Sequence, residues 1–248
     1  MEKYLDIERS IIKTYRKCIW RRFIRGINDY KMMNEGDKIA VCVSGSAKSA
    51  VLAKCAQEIH RHGVVKFDLC FITADTGLGD AEKRKLTDNA RLLNIPLEIF
   101  KAEGDLTDCL FEKARSLGCD KIALGHHFDD AIERILENML FEGKIAALMP
   151  KEKSGKYEGM DLIRPLCNVK EKDIAAWTRF NGLEFTEQKQ DGEMKELVKR
   201  FRDASPYIDK NIMSSVKDVN LTTVIAYHGK GREYNFMDDY EERGNKNA

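Results

Sequence analysis

No apolar run in the chain approaches the roughly 18 residues of a membrane span. The opening residues, Met1-Glu2-Lys3-Tyr4, lack the apolar core of a secretory signal. A soluble protein in the cytoplasm, with no membrane partner, is therefore expected. A strong net charge is missing too: the formal value is +1, so the chain as a whole is not polybasic. Paired cysteines are absent. Cys18, Cys42, Cys55, Cys70, Cys109, Cys119 and Cys167 include no Cys-x-x-Cys, which argues against a tight-pair metal or redox site. Cys42, Cys55 and Cys70 fall in apolar segments and read as buried free thiols. Two common phosphate-binding signatures are also missing, Gly-x-x-x-x-Gly-Lys-Ser/Thr and Gly-x-Gly-x-x-Gly.

What is present is a chain of 248 residues, 43% hydrophobic and 33% charged, long enough for a full core. Residues 38–49 organise it. Lys38-Ile39-Ala40-Val41-Cys42-Val43 is a short apolar run that breaks into Ser44-Gly45-Ser46-Ala47-Lys48-Ser49. Val51, Leu52, Cys55, Ala56 and Ile59 then follow at helical spacing. This reads as buried strand, small-residue turn and helix. Free backbone N–H groups and the helix dipole at such a turn favour an anion, most naturally a phosphate.

Before this unit, residues 4–31 are expected to form one long helix, with Ile12, Tyr15, Ile19, Phe23 and Ile27 as its apolar stripe. Arg9, Lys13, Lys17, Arg21 and Arg25 recur every four residues, with Arg16 and Arg22 beside them and no acidic residue between Arg9 and Arg25. Like charges at that spacing repel. The stripe thus suggests a polyanion partner such as tRNA or another RNA, unless it is the solvated face of a docked helix.

After it, strands are expected at 67–73, 97–100 and 121–124, with one helix running from the end of the loop to about residue 62, others at about 80–94 and 110–117, and another carrying Ile132, Ile135, Leu136, Met139 and Leu140. Residues 143–161 read as an excursion. The stretch 160–166, with Pro165, reads as a last edge strand. Helices are expected near 170–181, 193–202 and 205–216, and a charged tail after Gly229 with disorder at 244–248. Alternating strands and helices predict an α/β fold, a doubly wound parallel sheet of about five strands with an N-terminal helix and a helical C-terminal region. The expected division is 1–34, 35–169 and 170–248. The polar clusters at 44–49, at Asp75, and at Gly125-His126-His127-Phe128-Asp129-Asp130 all fall at strand C-terminal ends, where open α/β sheets bind ligands.

The order of these parts resembles the PP-loop (N-type) ATP pyrophosphatases, and among them the tRNA 2-thiocytidine synthetase branch. The matching segments are Val41-Cys42-Val43-Ser44-Gly45, Ala74-Asp75-Thr76-Gly77, Leu124-Gly125-His126-His127-Phe128-Asp129-Asp130, and Ile163-Arg164-Pro165-Leu166 followed by Glu171-Lys172-Asp173-Ile174. The resemblance implies an adenine nucleotide alpha hydrolase-like fold. It also implies ATP at the loop, adenylation of a carbonyl oxygen of a tRNA base with loss of pyrophosphate, and displacement of AMP by sulfur. Val43, Ser44, Gly45, Ser46, Lys48, Ser49, Asp75, Gly125, His126, Asp129 and Asp130 become the candidate nucleotide contacts. A homodimer is expected because the family often forms one.

The chain departs from the family's Ser-Gly-Gly-x-Asp-Ser loop, with Ser46 in place of the second glycine and Lys48 in place of the aspartate that helps to hold Mg²⁺. A cation cannot ligate a metal, though it can pair directly with a phosphate. The Cys-x-x-Cys that holds an iron–sulfur cluster in the branch is missing. Residues 102–108 lead directly into Cys109, and 186–190 contain no cysteine where a third ligand would fall. Cys109, Cys119 and Cys167 lack cluster spacing. No cluster is therefore expected, no residue is assigned to metal or to catalysis, and ATP, with or without Mg²⁺, is the expected cofactor. The implied function is an adenine-nucleotide-binding protein like the tRNA-thiolation enzymes, with weakened catalysis. The alternatives are an active enzyme, with Asp129 or Asp130 serving Mg²⁺ and sulfur brought by another protein, and a non-enzymatic RNA-binding module.

Overall fold

The structure is a computed structural model, and it describes residues 3–185 and 192–240. The stretch 186–190 and the tail 244–248, on which two expectations rest, lie outside the described residues. In chain order the elements are α1 (Lys3–Ile12), a π-helical turn (Arg16–Trp20), α2 (Arg21–Asp29), β1 (Lys38–Cys42), α3 (Ala47–His62), β2 (Asp68–Asp75), α4 (Asp80–Leu92) and β3 (Leu97–Lys101). Next come α5 (Leu106–Ser116), β4 (Lys121–Ala123), α6 (Phe128–Phe141), β5 (Lys151–Lys153), β6 (Asp161–Ile163) and α7 (Glu171–Phe180). The chain continues through α8 (Glu193–Ala204), α9 (Ile208–Lys217), β7 (Ala226–Gly229) and β8 (Arg232–Asn235).

Six strands form the main sheet in the order β3-β2-β1-β4-β6-β5. Every pairing is parallel except β5 with β6. Strand periodicity divides the core. Ile39, Val41 and Val43 face a layer that includes Leu52, Leu86, Ile174 and Trp177. Ala40 and Cys42 face the opposite side, with Phe111, Ile122, Tyr157 and Leu162. A third cluster packs Ile132, Ile135 and Leu136 of α6 against α8 and α9.

The sequence predicts about five strands with residues 160–166 at the edge. The sheet has six, and β5 from within the expected excursion covers β6. Pro165 follows β6 in a turn, so its missing N–H breaks no ladder. In place of one continuous helix over 4–31, the chain breaks after α1 and widens into the π turn. There Tyr15 N–H donates to Ser10 O at 2.9 Å and Trp20 N–H to Tyr15 O at 3.4 Å, both five residues back. The widened turn resets the helical phase. Ile7 and Ile11 enter the core, whereas Ile12 and Tyr15 are half-buried. An unexpected hairpin, β7 and β8, runs into the charged tail. Lys230 and Gly231 both take positive φ, 51° and 77°, as a two-residue turn between β7 and β8 requires.

Candidate nucleotide site

β1 carries the chain up between β2 and β4, and the sheet's connectivity reverses at that point. The crevice over such a reversal is the general ligand position of open α/β sheets. Thr73 Oγ1 donates to Val43 O, and Val43 N–H donates to Ile72 O at 2.9 Å, so the end of β1 is pinned to β2. The chain then turns at Gly45, whose φ of 79° is left-handed and favours glycine. Ser46 caps α3, its Oγ accepting from Ser49 N–H at 3.4 Å and lying 2.9 Å from Ser44 Oγ. Gly125, just past β4, lies against this helix start. A Cβ there would meet the Lys48 and Ser49 backbone at 3.3 Å.

A cavity of about 410 Å³ opens over this edge. Val43, Ser44, Lys48, Ser49, Gly125 and His126 line it, so the structure brings together six of the sequence-derived candidates. Ile72, Leu78, Leu106, Leu110 and Leu124 give it apolar walls, interrupted by Thr73, Thr76 and Thr107. The apolar residues were missed by motif reading because an apolar side chain beside a strand end looks like ordinary core. A second cavity of about 720 Å³ lies on the other side of the helix start. It is lined in part by Ser46, Lys48, Lys85, His127, Arg179 and Lys195. Lys48 therefore borders both spaces.

His127 and Asp130 cap α6 reciprocally. Asp130 Oδ2 accepts His127 N–H at 2.7 Å, and His127 Nδ1 accepts Asp130 N–H at 3.2 Å. That Nδ1 must be unprotonated to accept, and burial does lower the His127 pKa below its ordinary value. His126 borders the 410 Å³ cavity. Burial depresses its pKa to about 4, so it is neutral at pH 7, and its buried Nδ1 has no hydrogen-bond partner among the described residues.

The three candidate carboxylates each hold a cation. Asp75 pairs with Lys83 at 2.6 Å and accepts the N–H groups of Gly77 and Leu78. Its pKa is lowered, chiefly by Lys83. Asp129 accepts Glu171 N–H at 2.6 Å and Arg202 Nη2 at 2.6 Å, away from the 410 Å³ cavity. Asp130 accepts Lys48 Nζ at 3.1 and 3.4 Å. Burial works to raise the Asp130 pKa, but His127, Lys48 and the hydrogen bonds around it outweigh burial and hold it low.

This donor set does not fit a protein-held Mg²⁺, since each carboxylate is already neutralised by an ammonium or guanidinium. Nor do the thiols fit an iron–sulfur cluster. Cys70 and Cys119 lie 3.3 Å apart near the N-terminal ends of β2 and β4, far along the strands from the loop, and no third ligand joins them among the described residues. The basic stripe lines neither cavity. Arg9, Lys13, Lys17, Arg21 and Arg25 are exposed on α1, the break and π turn, and α2, with Arg25 paired to Asp29 at 3.2 Å. Their layer packs on α7 through Tyr15 Oη to Ala176 O at 2.9 Å and Arg22 to Asp173 at 3.3 Å. No helix among the described residues is long and apolar enough to cross a membrane.

A family model described as the PP-loop domain matches residues 19–200. A tRNA-cytidine(32) 2-sulfurtransferase of Syntrophotalea carbinolica is 29% identical over 79% of this chain and 86% of its own length. Its counterpart in Paracidovorax citrulli is 32% identical over 79% of this chain and 73% of its own. A U34-tRNA thiolase from Methanococcus maripaludis, solved with its [4Fe-4S] cluster, aligns over 81% of this chain and 78% of that one. At a TM-score of 0.62 and 16% identity, this is a likeness of fold.

Proposed function

The chain belongs to the PP-loop domain family, and from that premise we propose that it binds ATP in the 410 Å³ cavity and activates a base of a tRNA. The cavity itself carries the reading. One end is the turn 44–49 at the start of α3, where backbone N–H groups and the helix dipole suit phosphates. Elsewhere Ile72, Leu78, Leu106, Leu110 and Leu124 offer apolar surface for a purine ring, with Thr73, Thr76 and Thr107 as polar groups beside it. The adjoining 720 Å³ cavity, with Lys85, Arg179 and Lys195 at its rim, suits an RNA base and its phosphates. Lys48 sits between the two, where a base carbonyl oxygen and the α-phosphorus would meet.

The reaction this supports follows the named activity of the relatives. The base carbonyl oxygen attacks the α-phosphorus and pyrophosphate leaves. A sulfur nucleophile then adds at the activated carbon, and AMP departs with the oxygen. Sulfur comes from a separate donor in this reading, since the cysteines here lack cluster spacing. The test is incubation of the protein with unmodified tRNA, ATP and sulfide, followed by assay of pyrophosphate and of thiolated nucleoside by mass spectrometry. Pyrophosphate and thiolated base appearing together, both dependent on the RNA, are expected.

A second reading is favoured by the three cation-bound carboxylates: the nucleotide is held and turned over slowly or not at all. ATP binding with no pyrophosphate release in that assay would replace the first reading with the second.

A further inference from the structure

Resting on the ATP site proposed above, we infer that the Lys48 ammonium replaces a divalent metal against the triphosphate, so that this chain binds ATP without one. Three observations support this, two of them on Lys48 itself. Lys48 is the second residue of α3, beside the amides of the turn, and it borders both the 410 and the 720 Å³ cavities. Its Nζ is held 3.1 Å from Asp130, and both side chains are mostly buried, at 19% and 13% exposure. The other two carboxylates of the strand-end edge are occupied in the same way, Asp75 by Lys83 and Asp129 by Arg202. A divalent ion entering here would have to displace a resident cation from its carboxylate and would then sit close to that displaced charge, a repulsion magnified by partial burial.

Lys48 needs no such exchange. Its stem lets the ammonium turn from Asp130 to a phosphate oxygen, a charge-assisted contact. Asp130 keeps the His127 N–H at 2.7 Å when the ammonium leaves. The pair thus stores the cation at the phosphate position and releases it when the polyanion arrives.

The test is calorimetric titration of ATP into the full chain, once with EDTA and once with excess Mg²⁺. The wild-type Kd is expected to agree between the two conditions to within about threefold. Lys48→Met is expected to weaken binding in EDTA by about tenfold or more. Lys48→Arg keeps the charge and is expected to retain binding in EDTA. Lys48→Asp is expected to make binding depend on Mg²⁺. Wild-type binding that requires Mg²⁺ would overturn the inference and leave the ATP site standing, whereas no binding in either buffer would overturn both. The wild-type comparison decides the matter even if a variant fails to fold.

Discussion

Lys54 illustrates how much a single buried charge depends on its partner. It is fully buried in α3, and its Nζ donates to Glu8, to Gln57 Oε1 at 2.7 Å and to Leu93 O at 2.7 Å. Arg61 adds a fork to Glu8 at 2.9 and 2.5 Å. Burial alone would raise the Glu8 pKa, yet the hydrogen bonds from Arg61 and Lys54 bring it below the ordinary carboxylate value. Glu8→Ala leaves a buried ammonium without its counter-charge and is expected to cost about 3–5 kcal/mol. Chemical denaturation measures this, and a loss under about 1 kcal/mol would mean that the network is solvated. Glu133 behaves in the opposite sense. It is half-buried on α6 one turn from Asp130, and burial followed by the Asp130 charge raises its pKa to about 7. The folded protein keeps this proton after the unfolded chain has lost it at about 4.3. Ionisation therefore removes stability as pH climbs from there to about 7, and little further change follows above. Glu133→Gln is expected to flatten the unfolding midpoint across that window, and an unchanged slope would assign it to another group.

At the scale of elements, a single helix terminus can join several neighbours. Asp129 shows this: it closes the N-terminus of α7 through Glu171 N–H and holds α8 through Arg202, which also reaches Asp209 of α9 at 2.8 Å. A residue that motif reading assigns to the ligand thus ties four helices together. The N-terminal layer makes a different kind of element. Its buried side docks on α3 and α7, and its outer side carries Arg9, Lys13, Lys17, Arg21 and Arg25. If that face meets RNA, Arg21→Glu with Arg25→Glu should weaken tRNA binding and reduce the slope of log affinity against log salt by about two. Fold should be little affected, because both side chains are exposed and the Arg25–Asp29 pair is a surface one. Unchanged tRNA affinity in a filter-binding salt series would reduce the stripe to a solvated face.

Across the whole molecule, the pattern of local signals carried a long way. Apolar runs bounded by Gly and Pro marked β1 to β4 and most helices, because strand and helix periods are written directly in the spacing of side chains. The turn 44–49 and the segment 125–130 were legible for the same reason: small residues and caps have to follow strands in order. Three kinds of information were not local. The short β5 has no apolar alternation in Lys151-Glu152-Lys153 and exists because β6 offers it a free edge. The π turn contains no Gly or Pro to announce it, and its layer docks on α7, where Tyr15 Oη donates to Ala176 O at 2.9 Å and Trp177 Nε1 to Ser10 Oγ at 3.0 Å. The apolar walls of the cavity come from β2, α4's approach, α5 and β4, and only chain crossing assembles them.

The sequence by itself determined the α/β alternation, the loop at which an anion is favoured, and the exchange of the family's aspartate for Lys48, since each is a matter of residue type and spacing along the chain. The tertiary structure alone decided which charge meets which. Lys48 and Asp130 lie 82 positions apart, Asp129 and Arg202 73 apart. Charge pairing falls off with distance in space, not in sequence, so only the folded sheet, with β4 beside β1 and α6 opening next to α3, could bring those cations to the carboxylates.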